Sequence, residues 1–529
     1  MNSAETLNPA TASLPKAGQG ATESRPTAAA PLKPGWIMLL AVLAVATFHL
    51  GFLFAPVCWL VLVWLGCLFA LRRVPSGRWA FYTGLAIGLG IYGPQLYFFW
   101  NIFGPAAIAL WLVLAFWLAL FLLLLHGVER HWGVLWAIGL APVLWLGIEF
   151  FRSELYYLRF SWLTAGSFLA PGDWWRTFSS IGVYGIGAAL TFAAALLCVG
   201  IEGLLLRRWW QVKVVAWSIV AVLAAGILAP FFRKALAYSG TTFHIRLTGI
   251  QLEFPPVPEA LAQLDRALRE YPDTDLVMLG EYTFDGAVPQ PVLDWCRKQE
   301  RWLVAGGKEP TASGGFYNTA FVVSPEGEIA FKQAKSVPIQ FFNDGTPAHG
   351  QKTWLWNREE EPDGKIHRAL SYIKSEWKKR LATFPIRVGI CICYDLSYAL
   401  VVQRIVERRD GSVPLLLVPA MDVQDWGEYQ HRLDARMTAI RAAEYRLWIF
   451  RVATSGISQC VSPSGHVVAE TSYPGQGEIL STEINGHYWR NRIPADRVFG
   501  FVAVAATLGI TMALVWLEWR SRRKAPSNS

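Results

Sequence analysis

Long apolar runs alternate with short polar loops through the first 231 residues, and the pattern then changes. Eight runs have lengths typical of membrane spans, at about 36–54, 56–71, 80–99, 105–125, 133–151, 178–204, 213–231 and 499–518. Residues 232–498 instead mix strand-like segments, charged helices and turns, over a length that can bury its own core. The pattern predicts a polytopic α-helical membrane bundle of about eight spans that carries one folded α/β domain.

These changes in pattern divide the chain into five regions. We expect a disordered tail at 1–34, a bundle of about seven helices at 35–231, a catalytic domain at 232–498, a C-terminal transmembrane helix at 499–520 and a basic tail at 521–529. The tail is rich in Ala, Pro, Thr and Ser and has no hydrophobic period. The first apolar run is long and leads directly into the next, so we expect it to be a membrane anchor and not a cleaved signal peptide.

Charge predicts the orientation of the bundle. The composition is 53% hydrophobic and only 16% charged, with a net charge of +9. Basic residues follow the second, fourth, sixth and last apolar runs, and with eight spans all four positions fall on one side. These residues are Arg72, Arg73, Arg78, Arg130, Arg207, Arg208, Lys213, Arg520, Arg522, Arg523 and Lys524. The positive-inside rule then places the 232–498 domain outside the cytoplasm, although the short first two spans could instead form one re-entrant unit.

Strand-like and helix-like segments alternate within 232–498. Apolar, β-branched stretches such as D-L-V-M-L-G, W-L-V-A-G-G, R-V-G-I-C-I-C and V-P-L-L-L-V-P are separated by amphipathic segments. F-Y-N-T-A-F-V-V-S and G-E-I-A-F-K are joined by S-P-E-G, which predicts a hairpin. The pattern favours two stacked sheets with helices on both outer faces, an α-β-β-α sandwich.

One strand delivers a cysteine to the place where such folds do chemistry. Cys393 ends the strand-like run R-V-G-I-C-I-C and is followed at once by Tyr394 and Asp395. Upstream, Glu281 ends one strand and Lys335 follows another. A thiol needs a cation and a base beside it to act as a nucleophile near neutral pH, and these two residues can supply both. The alternative to a nucleophilic role is that Cys393 is a packing residue of the core, as we expect for Cys391.

These motifs resemble a known superfamily. I-C-Y-D at Cys393, Y-N-T at Asn318 and the block R-M-T-A-I-R-A-A-E-Y-R…R-V-A-T-S-G-I-S resemble the nitrilase, or carbon–nitrogen hydrolase, superfamily, in which glutamate, lysine and cysteine occur in this order. With E-F-F-R, R-F-S-W-L and S-S-I-G-V-Y-G in the membrane part, the chain resembles the apolipoprotein N-acyltransferase family over about 40–520.

The resemblance implies roles for particular residues. Cys393 would be the nucleophile, Glu281 the general base and Lys335 the cation that stabilises the oxyanion, with Lys332 as the competing lysine. A supporting glutamate is expected eight residues past Lys335, where this chain has Asn343 with Asp344 beside it.

Four further residues have expected places at or near the site. The Tyr394 backbone would assist the oxyanion. Asn318 either caps the hairpin or supports the site, and Trp426 either lines the pocket or packs. We expect Asp395 to be a structural partner and not a second base.

The activity implied is acyl transfer from a membrane phospholipid, through a cysteine thioester, to the N-terminal amine of a diacylated lipoprotein. Alternatives are a membrane-tethered amidase or nitrilase that resolves the thioester with water, and an inactive scaffold or sensor. The altered loop after Lys335 leaves another amine possible as acceptor. We expect a monomer in the bacterial inner membrane with a periplasmic catalytic domain, no cofactor and no nucleic-acid partner. The histidines have no metal-ligand spacing, so no metal is expected.

Overall fold

The computed structural model describes residues 31–169, 171–218, 238–312, 314–340, 342–346, 387–407, 413–489 and 491–524. The first part is helical throughout, with helices α1 (Pro34–Leu53), α2 (Leu60–Ala70), α3 (Gly77–Gln95), α4 (Phe99–Phe103), α5 (Ala106–Trp132), α6 (Val134–Phe150) and α7 (Pro171–Leu205). A π-helical turn, Phe151–Leu155, continues α6. The described residues leave out 1–30 of the predicted tail, most of the 213–231 run and a charged insertion at 349–380. Helix α1 begins at Pro34, the last residue assigned to the tail.

The second part contains eleven strands among the described residues. They are β1 (Tyr238–Ile250), β2 (Leu276–Leu279), β3 (Trp302–Pro310), β4 (Phe316–Val323), β5 (Ile329–Ala334), β6 (Val388–Ile390), β7 (Leu415–Ala420), β8 (Trp448–Ala453), β9 (Gln459–Val461), β10 (Val467–Glu470) and β11 (Ile479–Trp489). One sheet has the order β11-β1-β2-β3-β4-β5 and the other β10-β9-β8-β7-β6. In each sheet three consecutive strands run parallel (β1-β2-β3 and β6-β7-β8), with antiparallel neighbours beyond them.

Helices cover the outer face of each sheet. Helices α8 (Val257–Glu270) and α9 (Gln290–Gln299) pack on the first sheet, and α10 (Ala399–Val406) and α11 (Glu428–Tyr445) on the second. Leu276 and Met278 of β2 face the core between the sheets, whereas Val277 and Leu279 face the helices. This alternation with both faces buried follows from the period of two in a strand. The predicted α-β-β-α sandwich is therefore confirmed.

The C-terminal helix α12 (Asp496–Lys524) returns to the membrane bundle. Five helical segments among the described residues are long and apolar enough to cross a bilayer: α1, α5, α6 with its π turn, α7 from Trp174, and α12. Helix α2 has 11 residues and rises only about 16 Å, about half the thickness of a bilayer core. The bundle agrees with the prediction, and the count of eight spans stays a prediction.

Close packing holds the bundle together. Gly84 and Gly88 of α3 lie one turn apart, and a Cβ atom at either would come within 2.6 Å of the backbone of α5, at Ala119 and Ala115 respectively. Small residues four apart are how membrane helices approach one another closely, because lipid provides little hydrophobic force between them.

The α/β sandwich is joined to the bundle by buried polar contacts. The Glu154 carboxylate, in the π turn, accepts hydrogen bonds from the backbone N–H groups of Ala399 (2.9 Å) and Leu400 (3.2 Å) and so caps the start of α10. The Trp162 indole N–H donates to the Ser397 hydroxyl at 2.8 Å. Helix α11 also packs directly on α7. These contacts fix the second sheet at one end of the bundle.

Candidate active site

Three strand ends converge between the two sheets. Glu281 follows β2, Lys335 follows β5 and Cys393 follows β6, and their side chains are 0%, 2% and 4% exposed. The Lys335 ammonium lies 2.8 Å from the Glu281 carboxylate. Three residues that lie far apart in the sequence therefore share one buried site.

The backbone of Met421 contacts both Glu281 and Cys393. Its N–H donates to the second carboxylate oxygen of Glu281 at 2.9 Å, and its carbonyl oxygen lies 3.8 Å from the Cys393 sulfur, as acceptor of a weak S–H bond. Cys393 has φ of +48°, a left-handed conformation that is costly for a residue with a side chain. Strain of this kind recurs at active sites, where it aims a side chain that a relaxed backbone would turn away.

A second carboxylate completes the lysine's surroundings. Asp344 is fully buried, and its oxygens lie 2.7 Å from the Lys335 ammonium and accept from the Tyr282 hydroxyl at 2.8 Å. The Asn318 amide donates both to Asp344, at 2.7 Å, and to Glu281. Asn343, by contrast, is exposed. Asp344 is therefore the carboxylate beside the lysine, and Asn343 lies outside this cluster.

The competing lysine lies elsewhere. Lys332 is 46% exposed and pairs with Glu309 at 2.7 Å on the surface of β5. Since neighbours along a strand point to opposite faces, the odd spacing between Lys332 and Lys335 separates the two side chains. Of the two lysines, the structure brings Lys335 to Glu281.

The electrostatics keep the lysine charged and the thiol protonated at rest. Burial disfavours the Lys335 cation, but Asp344 and Glu281 outweigh it and raise the pKa of Lys335 well above its usual value. Burial raises the pKa of Cys393 well above its ordinary value, Glu281 adds to this, and Lys335 opposes it. Burial also raises the pKa of Glu281, against the lowering effect of Lys335. The Lys335 cation alone therefore does not produce a resting thiolate, and a thiol nucleophile at this position would need a base beside it.

The Asp395 carboxylate accepts its hydrogen bonds from backbone N–H groups. Its carboxylate accepts from the N–H groups of Ser336 (2.9 Å) and Val337 (2.7 Å), which follow Lys335 directly. Burial raises the pKa of Asp395 to about 6, although the Ser336 N–H and then the Lys335 charge oppose the shift. Asp395 thus joins the strand end that carries the lysine to the one that carries the cysteine.

A cavity opens from the cysteine toward the bundle. Its empty space, part of which is open to the outside, is about 990 Å³. Cys393, Tyr394 and Trp426 are among the residues that line it, and the Trp426 ring lies 6.0 Å from that of Phe342. Apolar side chains of α4, α5 and the loop after α6 line much of it, together with the charged Arg159 of that loop. The apolar ones are Phe99, Ile102, Phe103, Leu110, Val113, Leu114, Leu158, Phe160 and Trp162.

The structure also places residues at the site that the sequence analysis missed. Asp422, Gln430 and Asp434 line the same cavity as Cys393, and Tyr282 holds Asp344. Gln430 and Asp434 lie on α11, where 14 of 18 residues are buried, so no polar face marks them in the sequence. Only the adjacency of Tyr282 to Glu281 could have suggested its position.

Comparison with known proteins gives two domain matches. Residues 39–196 match the family model of the apolipoprotein N-acyltransferase N-terminal domain, and 256–492 match that of the carbon–nitrogen hydrolases. Comparison with curated proteins gave no match.

Several solved structures are similar to the second domain. Nit3 of Saccharomyces cerevisiae, a nitrilase-superfamily member, is 18% identical, with 48% of this chain and 92% of that one covered and a TM-score of 0.34. A carbon–nitrogen hydrolase from Helicobacter pylori G27 is 17% identical, with 54% and 97% covered and a TM-score of 0.35. A mutant amidase from Nesterenkonia sp. AN1, which shows covalent addition at its active-site cysteine, is 16% identical, with 46% and 91% covered and a TM-score of 0.34.

A carbon–nitrogen hydrolase domain joined to an apolar helical bundle defines a membrane-bound enzyme of the nitrilase superfamily. Within this class of enzymes, the match of residues 39–196 to the apolipoprotein N-acyltransferase N-terminal domain indicates the particular family. The chain belongs to the apolipoprotein N-acyltransferase family and is an acyltransferase.

Proposed function

We propose that the protein transfers an acyl chain from a membrane phospholipid, through a thioester on Cys393, to the N-terminal amine of a diacylglyceryl-cysteine lipoprotein. The cavity carries the proposal, because it joins the cysteine to apolar side chains of helices in the membrane bundle. Both substrates are lipids, and such a cavity lets their chains reach the sulfur without crossing water. A hydrolase of small soluble amides has no use for an apolar entrance of this kind.

The first half-reaction forms the thioester. Glu281 takes the thiol proton as Cys393 attacks the ester carbonyl, and the Lys335 ammonium with the Tyr394 backbone N–H stabilises the developing oxyanion. Collapse of the intermediate breaks the ester C–O bond, and Glu281 returns its proton to the departing lysophospholipid. Each oxyanion donor of this kind contributes about 10²–10³ in rate.

The second half-reaction transfers the chain. The acceptor amine attacks the thioester carbonyl, the C–N bond forms, and the C–S bond breaks. Glu281 takes the amine proton and returns one to the Cys393 sulfur, so that an amide and a free thiol result. Asn318 and Asp344 hold Glu281 and Lys335 in place for both steps.

We infer a location in the bacterial inner membrane, as a monomer, with the catalytic domain in the periplasm. Arg72 pairs with Glu129 and Glu202 at 3.2 and 2.6 Å, and Arg130 with Glu518 at 3.7 Å. These ends of α2, α5, α7 and α12 meet at the end of the bundle opposite the catalytic domain. Basic residues at that end favour the cytoplasm.

The test is a product analysis. Purified protein is incubated with phospholipid and a diacylated lipopeptide, and the products are identified by mass spectrometry. We expect an N-acylated lipopeptide and an acyl mass on the Cys393 peptide, both lost in Cys393→Ala. Free fatty acid without N-acylation, or ammonia released from amides, would show a hydrolase instead.

A further inference from the structure

A second buried polar cluster lies beside the cysteine. It consists of Asp422 after β7, Gln430 and Asp434 one turn apart on α11, and Arg451 on β8. The Arg451 guanidinium donates to one oxygen of Asp434 at 2.6 Å and also pairs with Asp422. The Gln430 amide N–H donates to Asp422 at 3.1 Å. We call these four residues the α11 cluster.

Two acceptor oxygens of the α11 cluster are unpaired. Asp434 Oδ1 and Gln430 Oε1 have no hydrogen-bond partner among the described residues, although their side chains are only 2% and 4% exposed. Both residues line the same cavity as Cys393. The Arg451 Nε–H, a donor of the same cluster, is unpaired as well. Because buried polar atoms are nearly always paired, the two acceptors beside the cavity are available to a donor group of a bound molecule.

The charges define what kind of donor fits. The α11 cluster has two carboxylates and one guanidinium, and Glu281 and Asp344 share one lysine. With these groups ionised, each set has one negative charge in excess. The one arginine among the described residues that line the cavity, Arg159, offsets only one of these two charges, so the balance still favours a cation. Burial raises the pKa of Asp434, and a bound cation would lower it again.

We infer that Asp434 Oδ1 and Gln430 Oε1 form a subsite for a primary ammonium group of a substrate. The inference rests on the proposed function and adds to it the chemistry by which a substrate is recognised. Two sources carry this group: the N-terminal amine of the acceptor and the ethanolamine headgroup of a donor lipid. A quaternary ammonium has no N–H to donate and does not fit two hydrogen-bond acceptors.

With the acceptor as source, the subsite also prepares the nucleophile. The ammonium gives one proton to Asp434 and attacks the thioester as a neutral amine. Its next proton passes through Glu281 to the Cys393 sulfur as the C–N bond forms and the C–S bond breaks. Asp434 then releases its proton to water, so the step balances.

The experiment separates the two half-reactions in the full-length protein. Acyl-enzyme formation is measured in a single turnover with phosphatidylethanolamine or phosphatidylcholine of identical chains. Transfer is measured as KM and kcat for a diacylated lipopeptide. The variants are Asp434→Asn, which keeps an oxygen for Arg451 but removes the charge, and Gln430→Met. The matched control is Asp425→Asn, because Asp425 is exposed and lies nearby on the turn before α11.

We expect Asp434→Asn to raise KM for the lipopeptide about 10- to 100-fold, as for the loss of a charge-assisted hydrogen bond. Gln430→Met should raise KM less, since a neutral acceptor is lost, and Asp425→Asn should leave both steps unchanged. If Asp434→Asn instead slows acylation from phosphatidylethanolamine and not from phosphatidylcholine, the ammonium comes from the donor lipid, and the subsite is still supported. Acylation from phosphatidylcholine reports that each variant is folded.

An unchanged KM together with an unchanged preference between the two lipids, in both Asp434→Asn and Gln430→Met, would overturn the subsite. Failure of the wild-type protein to form an acyl-enzyme from any phospholipid is a different result. It would contradict the proposed function itself.

Discussion

Replacement of Lys335 by methionine tests most directly how the buried charges of the site stabilise the fold and support acyl transfer. The Lys335 ammonium lies 2.7 Å from Asp344 and 2.8 Å from Glu281, and all three side chains are buried. Methionine has a similar length but no charge. In Lys335→Met the two carboxylates retain only neutral donors, namely the Met421 backbone, Asn318, Tyr282 and the Ile339 backbone.

The expected loss of stability is large. Removing one partner of a buried ion pair typically costs about 3–5 kcal/mol, because the other charge stays buried and uncompensated. Part of this cost is avoided when a carboxyl takes up a proton. Burial raises the pKa of Glu281 above 4.5, and Lys335 is the main opposing influence, so the pKa rises further in the variant.

This shift gives the defect a pH dependence with a definite sign. A carboxyl whose pKa is higher in the folded state than in the unfolded state favours folding below the unfolded value, and that contribution is lost as pH rises through the folded value. Lys335→Met should therefore be closest to wild type near pH 4.5, the ordinary pKa of a glutamate, and should fall furthest behind at alkaline pH. Thermal unfolding in detergent across this range measures it.

Activity should fall further than stability alone explains. The variant loses a donor to the oxyanion, which costs about 10²–10³ in the rate of acyl-enzyme formation. Lys332→Met is the matched control: Lys332 is 46% exposed and pairs with Glu309 at the surface, where such pairs contribute about 0–1 kcal/mol. Acylation within tenfold of wild type in Lys335→Met, or abolished acylation in Lys332→Met, would refute the reasoning.

Three further predictions follow from the same geometry. Cys393 should be alkylated by iodoacetamide slowly at pH 7 and faster as pH rises beyond 9, since burial raises its pKa. Labelling that is already maximal at pH 7 would contradict this. As a control, Cys391→Ala should leave the pH profile of labelling unchanged. Asp344→Asn should slow acylation about 10- to 100-fold by removing one charge-assisted contact of the lysine, whereas Asn343→Ala, at an exposed position, should not. Glu154→Ala should cost about 1–3 kcal/mol in thermal unfolding, because two buried N–H groups at the start of α10 lose their acceptor; an unchanged melting temperature would show that the capping contacts do not hold the domain.

The sequence predicted the fold well where local patterns decide it. Runs of apolar, partly β-branched residues located the strands, and the positions of Glu281, Lys335 and Cys393 follow from where those runs end. The sandwich of two sheets was predicted from the order of strands and helices and is confirmed. These features depend on residues that are close together in the chain.

Other features depend on how loops and helices pack, which local patterns do not determine. The choice of Asp344 over Asn343 depends on the path of the loop after Lys335, and the residues are adjacent in sequence. Arg72 was assigned to a basic loop, yet it is buried between Glu129 and Glu202. The 56–71 run has the hydrophobicity of a span, but its helix has only 11 residues. The burial of a charged side chain and the length of a helix depend on tertiary packing, so the three-dimensional structure is needed to see them.

The packing of helix α11 determines whether the sandwich domain can be purified without the membrane bundle. Nearly all of its circumference is covered, by the second sheet on one side and by α7 on the other. Cutting the chain between bundle and sandwich would bare Leu433, Met437 and Ile440, which belong to the bundle's own apolar core. A truncated sandwich domain would therefore self-associate through this exposed apolar surface, and the enzyme has to be purified as the full-length chain in detergent or lipid.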